Sequence, residues 1–220
     1  MLIEKLISPV IPILSVNDTG YRALQLMEEN NLNQLPLVLE DKYSALVKEN
    51  DLMEWDDSNS LLSLSDFLTY KPAVLSTGHP YDALRLAHSQ DLSIVPIIDK
   101  ETNYLGAITR TDLLSYLTEH TGLNMPGGII VIEIEPRNYT LYEIARICEN
   151  EDVIITNSQL RTVKETGKLE LTIKTNRTDL QGVIDALERH KYVVKEVYGV
   201  SAHDEDLEDR FNHLMTYLNI

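Results

Sequence analysis

The chain has 220 residues, of which 43% are hydrophobic and 25% are charged, and its formal net charge at pH 7 is −16. This composition is typical of a globular protein. Binding to nucleic acid requires clustered lysine and arginine, so the acidic balance argues against nucleic acid and equally against an anionic membrane surface. The single cysteine cannot form an internal disulfide, which favours a reducing compartment.

The first residues do not have the pattern of a signal peptide, because Glu4 and Lys5 stand where an apolar run would be needed. No stretch approaches the length of a membrane-spanning helix. From these features we expect a soluble, cytoplasmic protein that contacts neither nucleic acid nor a membrane.

The first sixty residues predict alternating helices and strands. Apolar residues near the start predict a short helix within residues 1–15, followed by an extended segment. A periodic apolar face predicts a helix over residues 18–30, capped by Asn17 or Asp18. The remaining elements of this part are strands near 35–39 and 43–48 and a helix over 50–55.

The same order of elements recurs when the sequence is displaced by sixty residues. The displacement places Leu35-Pro36-Leu37-Val38 over Val95-Pro96-Ile97-Ile98. After one extra residue, the segment 43–53 falls over 104–114. An internal repeat of this length indicates two copies of one supersecondary unit, and the polar run 56–60 predicts the connection between them.

The most informative stretch is the strand-to-helix turn in the second copy. Apolar residues predict a strand as far as Ile108, and Thr109 to Asp112 then begin a helix. Backbone N–H groups gather at such a helix N-terminus, where an anion is favoured. Thr109 offers a hydroxyl, Arg110 a charge and Asp112 a carboxylate able to bridge a sugar diol. Threonine and aspartate are also ordinary capping residues, so the turn alone does not identify a ligand.

A segment rich in glycine and proline, Thr121–Gly128, predicts the end of the repeat. The elements predicted after it have the order βαββαβ, which is typical of a ferredoxin-like unit. They are a strand near 129–135, a helix over 140–150, strands near 153–163 and 168–175 joined by a hairpin, a helix over 178–190 and a strand over 193–200.

The last twenty residues, 201–220, predict a C-terminal helix. Its apolar positions share one side, which we expect to pack against its own domain or a second copy of the chain. These positions are Leu207, Phe211, Leu214, Met215 and Leu218.

The repeat resembles a known family, tandem CBS domains, which are the paired regulatory modules of many soluble enzymes, channels and transporters. The most specific element of the resemblance is Gly106-x-Ile108-Thr109-x-x-Asp112. The resemblance implies an α+β fold with a first CBS domain over 1–60 and a second over 61–122.

The βαββαβ segment, residues 128–200, resembles an ACT domain, a small regulatory module that often binds amino acids and dimerises. The ligand turn of that family usually carries a Pro-Gly pair, whereas Asn138 and Tyr139 stand there in this sequence. Tyr139 cannot give the close backbone approach of glycine, so a dimerising or packing module is the alternative to a ligand-binding one. The combination of CBS and ACT domains resembles acetoin-utilisation accessory proteins.

The resemblance to CBS pairs implies two clefts between the copies that can hold an adenosine-containing ligand, namely ATP, ADP, AMP or an S-adenosyl compound. In the second copy, Asp112 would take the ribose hydroxyls, Thr109 a phosphate oxygen, and Arg110 would add charge. The residues expected to line the adenine are Ala73, Val74, Ile94, Val95 and Pro96.

The first copy departs from the motif. Lys48 replaces the threonine, Ala45 replaces the glycine, and Asp51 alone matches. Lys48 could bind a phosphate or its volume could fill the cleft, and Asp51 could serve only as a helix-cap carboxylate. Because Glu49 and Asp51 would surround a phosphate with negative charge, we expect this cleft to hold no ligand.

Motifs of catalytic centres are not found in the sequence. The six histidines lack metal-site spacing, neither a Gly-x-Ser-x-Gly elbow nor a Walker loop occurs, and Cys148 lies on the apolar face of its helix. We therefore expect a non-enzymatic regulatory protein, without a metal or resident cofactor, that senses an adenosine-containing ligand at the CBS pair. The alternative is a ligand-free dimerising adaptor whose protein partner carries the activity. A homodimer is expected in either case.

Overall fold

The computed structural model of the protein describes residues 3–8 and 10–199. The chain forms two compact units that divide between Leu117 and Thr118. This division falls inside the last turns of a helix, a few residues before the predicted break at Thr121–Gly128. The helix predicted over 201–220 lies outside the described residues.

The first unit contains both copies of the repeat, in the predicted order of elements. The first copy consists of a 3-10 helix Ile3–Leu6, α1 Gly20–Glu29, β1 Gln34–Leu39, β2 Lys42–Lys48 and α2 Glu49–Glu54. The second copy consists of a 3-10 helix Leu62–Leu64, β3 Val74–Leu75, α3 Pro80–Ser89, β4 Ile94–Ile98, β5 Tyr104–Thr109 and α4 Arg110–His120.

α1 begins two residues after the predicted start at residue 18. Thr19 caps the helix, because its hydroxyl accepts a hydrogen bond from the N–H of Arg22 at 3.2 Å. The prediction that Asn17 or Asp18 would be the cap was therefore wrong. The Asp18 carboxylate instead accepts a hydrogen bond from the N–H of Ser15 at 2.7 Å, which closes the turn before the helix.

The sixty-residue repeat is visible in the strand pairing. β1 and β2 are antiparallel, and Leu14 joins Leu37 of β1 in a parallel bridge. In the second copy β4 and β5 are antiparallel, and Val74 of β3 joins Ile97 of β4 in parallel. Residues 14 and 74, like residues 37 and 97, are sixty positions apart, so the two copies have the same topology.

The two copies are joined where their hairpins turn. The N–H of Tyr43 donates to the carbonyl of Thr102 at 3.0 Å, and the N–H of Tyr104 donates to the carbonyl of Asp41 at 2.8 Å. Tyr43 and Tyr104 are equivalent residues of the repeat, so this exchange has approximate two-fold symmetry. Their rings stack across the junction with centroids 6.3 Å apart.

The segment before the first strand of each copy lies against the other copy. The N–H of Ser8 donates to the carbonyl of Ala107 in β5 at 2.9 Å. In the equivalent position, the N–H of Leu46 in β2 donates to the carbonyl of Tyr70 at 2.8 Å. Backbone hydrogen bonds in both directions therefore tie each copy to the other.

Gly106 makes the first of these crossings possible. Its φ is +138°, and a Cβ there would lie 2.3 Å from Cγ2 of Ile7. Only glycine has this conformation without strain, and any side chain would displace the N-terminal segment. The glycine of the motif thus has a packing role in this structure.

The apolar core of the first unit is shared between the copies. Tyr43 and Leu46 belong to the first copy, yet they pack in the cluster formed mainly by the second copy, around Ile94, Val95 and Ile108. A second cluster contains Leu14, Leu35 and other residues of the first copy. Since one copy completes the core of the other, we expect the pair to unfold as one cooperative unit.

The second unit has the βαββαβ order predicted for a ferredoxin-like fold. Its elements are β6 Ile129–Ile134, a 3-10 helix Pro136–Asn138, α5 Leu141–Asn150, β7 Ile155–Thr162, β8 Leu169–Thr175, α6 Gln181–Arg189 and β9 Val193–Tyr198. The sheet is antiparallel with the strand order β7-β8-β6-β9. Cys148 of α5 is fully buried, and this burial raises the pKa of its thiol to about 11.

Charged side chains form a ladder across the sheet of the second unit. Glu170 of β8 pairs with Arg161 of β7, and its carboxylate lies 3.7 Å from Nζ of Lys195 in β9. Nζ of Lys168 lies 2.6 Å from the carboxylate of Glu133 in β6. The hydrogen bond from Arg161 holds the pKa of the buried Glu170 carboxyl below its usual range.

The depressed pKa of Glu170 predicts a stability that decreases in acid. A carboxyl with a lower pKa in the folded state stabilises the fold above its unfolded pKa, about 4.3, and loses this contribution as the pH falls through the folded value. We therefore expect Glu170→Gln to speed amide hydrogen exchange of residues 169–175 at pH 7, and the difference from wild type to shrink as the pH falls through the folded pKa. A difference from wild type that does not depend on pH would contradict this.

The stacked tyrosines provide a matched test of the junction between the copies. The Tyr43 hydroxyl donates to the carbonyl of Pro72 at 2.9 Å, whereas the buried Tyr104 hydroxyl has no hydrogen-bond partner within residues 3–8 and 10–199. Tyr43→Phe should lower the free energy of unfolding by about 1–2 kcal/mol, because it leaves the carbonyl unpaired. Tyr104→Phe should leave that free energy unchanged or raise it.

Urea unfolding followed by the fluorescence of Trp55, the only tryptophan of the chain, measures both variants. A larger loss of stability for Tyr104→Phe than for Tyr43→Phe would show that the two junction hydroxyls have been assigned the wrong roles.

Candidate ligand site

The turn between β5 and α4 is closed by reciprocal hydrogen bonds between Thr109 and Asp112. Oδ2 of Asp112 accepts from the Thr109 N–H at 3.2 Å and from the Thr109 hydroxyl at 2.6 Å. The Thr109 hydroxyl oxygen in turn accepts from the Asp112 N–H at 3.0 Å. This is a capping box, which satisfies N–H groups that the start of a helix leaves unbonded. The box uses Oδ2 and does not involve Oδ1.

Arg110 ties the same turn to the loop before β4. Its Nε and Nη2 donate to the carbonyl of Leu92 at 3.0 and 2.9 Å, and Nη2 donates to the Asp91 carboxylate at 2.7 Å. The Asp91 side chain is 94% exposed, so this ion pair is worth little and a phosphate could compete for the guanidinium.

The segment Ile94-Val95-Pro96 reaches the turn but belongs to the core. Ile94 pairs directly with Thr109 in the register of β4 and β5. The side chains of Ile94 and Val95 are fully buried, and Pro96 is buried as well. Their expected contact with an adenine would require an opening beside them.

Ala73 and Val74 are not brought next to Thr109 and Asp112. β3 pairs with one edge of β4 and β5 pairs with the other, so β4 lies between them. Ala73 and Val74 instead line an open groove of about 480 Å³ beside α3. The N-terminal segment at Ser8 is the extended segment that lies against β5. Sequence order could not reveal which copy each segment would contact.

The turn of the first copy contacts side chains of the second copy. Nζ of Lys48 lies 3.9 Å from the centroid of the Tyr70 ring, a cation–π contact. The Tyr70 hydroxyl donates to Oε1 of Gln90 at 2.6 Å, which fixes the ring. Lys48 precedes α2 without a side-chain capping bond, and Asp51 lies in the first turn of that helix.

The cavity beside Lys48 is small. Its volume is about 180 Å³, and its lining residues are Asn33, Gln34, Lys48, Glu49, Asn50, Gln90 and Asp91. Sites for small molecules usually measure about 300–1,000 Å³, so this cavity cannot enclose a nucleoside. Two carboxylates and one lysine also make it unfavourable for an anion.

Gln34 was not among the residues predicted to form the site, although the structure connects it to the turn. Its side chain is buried, with 5% of the residue exposed. Oε1 accepts from the N–H of Ser93 at 3.0 Å, and Nε2 donates to the carbonyl of Asp91 at 3.3 Å. The alignment of the copies contains the signal that could have found it, because Gln34 stands in a buried strand where the second copy has Ile94.

Among residues 3–8 and 10–199, no group of three or more histidine, cysteine, aspartate or glutamate side chains is arranged to hold a metal ion. No helix in these ranges is long and apolar enough to cross a membrane.

Several solved structures are similar to this chain over about half of its length. A CBS domain pair/ACT domain protein from Thermotoga maritima is 22% identical, with 54% of this chain and 98% of that chain covered and a TM-score of 0.48. The CBS domains of a transcriptional regulator from Streptococcus pneumoniae are 20% identical, with 52% and 98% covered and a TM-score of 0.45. The protein CBSX2, solved in complex with AMP, is 17% identical, with 54% and 96% covered and a TM-score of 0.46.

The sequence model of the CBS domain family matches residues 3–58 and 64–119. These two matches coincide with the two copies of the repeat and together cover just over half of the chain. No catalytic family is indicated. The chain belongs to the CBS domain family, with one CBS domain in each copy of its repeat.

Proposed function

We propose that this protein is a non-enzymatic regulatory protein whose second CBS domain senses an adenosine-containing ligand. The observation that carries the proposal is the capping box of Thr109 and Asp112 at the start of α4. The box fixes the Asp112 carboxylate through Oδ2 alone, so that Oδ1 can accept hydrogen bonds from the two hydroxyls of a ribose.

A phosphate group would complement the same turn. α4 has eleven residues, and its N-terminus favours negative charge. Arg110 can exchange its bond to the exposed Asp91 carboxylate for a phosphate oxygen. The Thr109 hydroxyl can turn to the phosphate if it gives up its bond to Asp112. ATP, ADP, AMP and S-adenosyl compounds all contain the ribose, and the phosphate contacts would separate the nucleotides from S-adenosyl compounds.

The second unit is the proposed output of the signal. We assign it to an ACT-like module because its helices and strands have the βαββαβ order and the strand order β7-β8-β6-β9. Tyr139, at the turn after β6, packs against the core of this unit, which favours a packing role over an amino-acid site. Ligand binding would then change how this unit contacts a protein partner. The combination of CBS and ACT-like domains resembles acetoin-utilisation accessory proteins. The single cysteine is buried and reduced, which suits a reducing cytoplasm.

We also propose that the protein is a homodimer. The helices of both CBS domains expose large apolar side chains at equivalent positions, Tyr21 at 64% and Tyr81 at 55%, and Met53 adds a third at 68%. A surface with internal two-fold similarity suits pairing with a second copy of the chain, because a symmetric dimer presents the same patch twice.

The alternative function is a ligand-free dimerising adaptor. One oxygen of Asp112 and the Nε and Nη2 donors of Arg110 already have partners within the chain. These bonds are sufficient to explain the residues of the turn without a ligand. Titration with nucleotides separates the two functions directly.

We expect the protein to bind at least one of ATP, ADP, AMP and S-adenosylmethionine in calorimetric titration. Asp112→Asn can keep an oxygen that caps α4 but removes the charge and the second acceptor, so binding should weaken by about tenfold or more. The matched control is Asp51→Asn, the same change in the first copy, which should leave the affinity unaltered. Neither heat nor a shift in Tm with any of these ligands at millimolar concentration would contradict the proposal and favour the adaptor.

The occupied turn of the first copy predicts about one ligand per chain, since its cavity is below the size of a nucleoside. Lys48→Ala should leave the affinity unchanged and lower the free energy of unfolding by about 0.5–1 kcal/mol, because the cation–π contact with Tyr70 is lost. Lys71→Ala removes the same charge from the neighbouring segment and serves as the control. Two independent sites per chain, with the weaker one abolished by Lys48→Ala, would show that Lys48 binds phosphate.

The proposed dimer should have about twice the chain mass of 25.0 kDa in light scattering at micromolar concentration. A charge at Tyr21, introduced as Tyr21→Glu, should shift the protein towards the monomer because it would be buried without a partner. Val10→Glu, at a position that is 74% exposed, is the control and should leave the mass unchanged. A wild-type protein with the mass of one chain would exclude the dimer.

A further inference from the structure

We infer that Gln34, in the first CBS domain, is the positioning residue for the ligand turn of the second domain and couples the two turns of the pair. The inference rests on the proposed function of that turn. In this inference Gln34 acts through the loop of residues 91–93, to which both of its side-chain hydrogen bonds go.

Burial makes Gln34 an exception in its strand. Its neighbours Leu35 and Leu37 are fully buried apolar residues, and the equivalent residue of the second copy is Ile94. An amide group in such a place costs free energy unless it is hydrogen-bonded. Both ends of the Gln34 amide are bonded, and both bonds cross to the second domain.

The loop 91–93 carries these bonds to the ligand turn. Gln34 accepts from the N–H of Ser93, and the carbonyl of Ser93 accepts from the N–H of Arg110 at 2.8 Å. Gln34 also donates to the carbonyl of Asp91, whose carboxylate accepts from Nη2 of Arg110. The loop is therefore held by Gln34 on one side, and on the other side it holds both the backbone and the side chain of the first residue of α4.

The same glutamine is anchored beside the turn of the first domain. The N–H of Glu49 donates to the carbonyl of Asn33 at 2.9 Å, which is the equivalent of the bond from Arg110 to Ser93. Gln34 follows Asn33 directly and pairs with Lys48 in the sheet. A shift of Ser93 or Arg110 must therefore move Gln34 or break its bonds. Lys48, the partner of Gln34 in the sheet, directly precedes the first residue of α2, so a movement of Gln34 reaches the start of that helix.

The hydrogen bonds run from the first domain to the second because the two copies carry different residues at this position. Ile94, the counterpart of Gln34, has no polar atom in its side chain and cannot bond to the Asn33 loop. The second turn receives two hydrogen bonds from a side chain of the other copy through the loop 91–93, whereas the first turn receives a cation–π contact from Tyr70. This asymmetry matches the chemistry of the turns, since the second one contains Thr109 and Asp112.

The test replaces Gln34 by residues of similar size in the full-length chain. Gln34→Met removes both bonds, and Gln34→Glu keeps the acceptor for the N–H of Ser93. Without ligand, we expect the amides of Ser93 and Arg110 to exchange hydrogen about tenfold faster in Gln34→Met and close to the wild-type rate in Gln34→Glu. The amide of Leu46, at the junction, should be unchanged in both. Gln25→Met, an exposed glutamine bonded to Glu29, is the control.

The second measurement is the affinity for AMP and ATP by calorimetry. We expect Gln34→Met to weaken binding about fivefold or more and Gln34→Glu to retain most of the affinity, whereas Gln25→Met should be neutral. In the wild-type protein, AMP or ATP should also shift the NMR resonances of the Asn33 and Glu49 amides. This measurement requires no variant.

The outcomes separate this inference from the proposed function. Unchanged exchange at Ser93 and Arg110 in Gln34→Met, or nucleotide binding that leaves the Asn33 and Glu49 resonances in place, would overturn the role of Gln34 while the site stands. If no nucleotide binds to the wild type, the proposed function fails, and accelerated exchange at Arg110 would still establish the positioning. If Gln34→Met does not fold, the resonance shifts and the Gln34→Glu variant decide.

Discussion

The two-fold exchange of backbone hydrogen bonds at the hairpin turns is the constraint on which the first unit depends. Tyr43 and Tyr104 each donate to the turn of the other copy, and the segments before the first strands cross in both directions. Backbone groups at such a junction must be paired when they are buried, so removing one copy would leave hydrogen-bonding groups of the other to be satisfied by water.

Equal topology does not give the two turns equal chemistry. At the second turn, hydroxyl and carboxylate groups cap a helix and leave a carboxylate oxygen outside the box. At the first turn, Lys48 makes a cation–π contact with the ring of Tyr70 and lines a cavity of only about 180 Å³. The backbone scaffold thus provides two similar positions that side-chain volume and charge make different, and the proposed function places the ligand at the second. The difference between the two turns is a property of side chains placed on a duplicated backbone.

The sequence predicted the repeat, the order of the elements and the residues of the second turn, because each is encoded locally in apolar spacing and capping patterns. It failed where the answer depended on distant contacts. For Ala73 and Val74 it could not show that β3 and β5 pair with opposite edges of β4, because strand pairing cannot be read from chain order. Thr19 was overlooked beside Asp18 because both residue types cap helices. Gln34 was overlooked because its bonding partners lie 57 and 59 positions away.

The approximate two-fold symmetry of the junction also bears on how such a chain can evolve. A single copy would have the complementary halves of the junction on its own surface and could assemble with another identical copy. In that assembly every substitution would occur on both sides of the axis at once. Joining the copies in one polypeptide removes this restriction, and it keeps the halves together at a high effective concentration. One half can then carry glutamine where the other carries isoleucine, so duplication permits a division of labour that a symmetric assembly of separate chains cannot have.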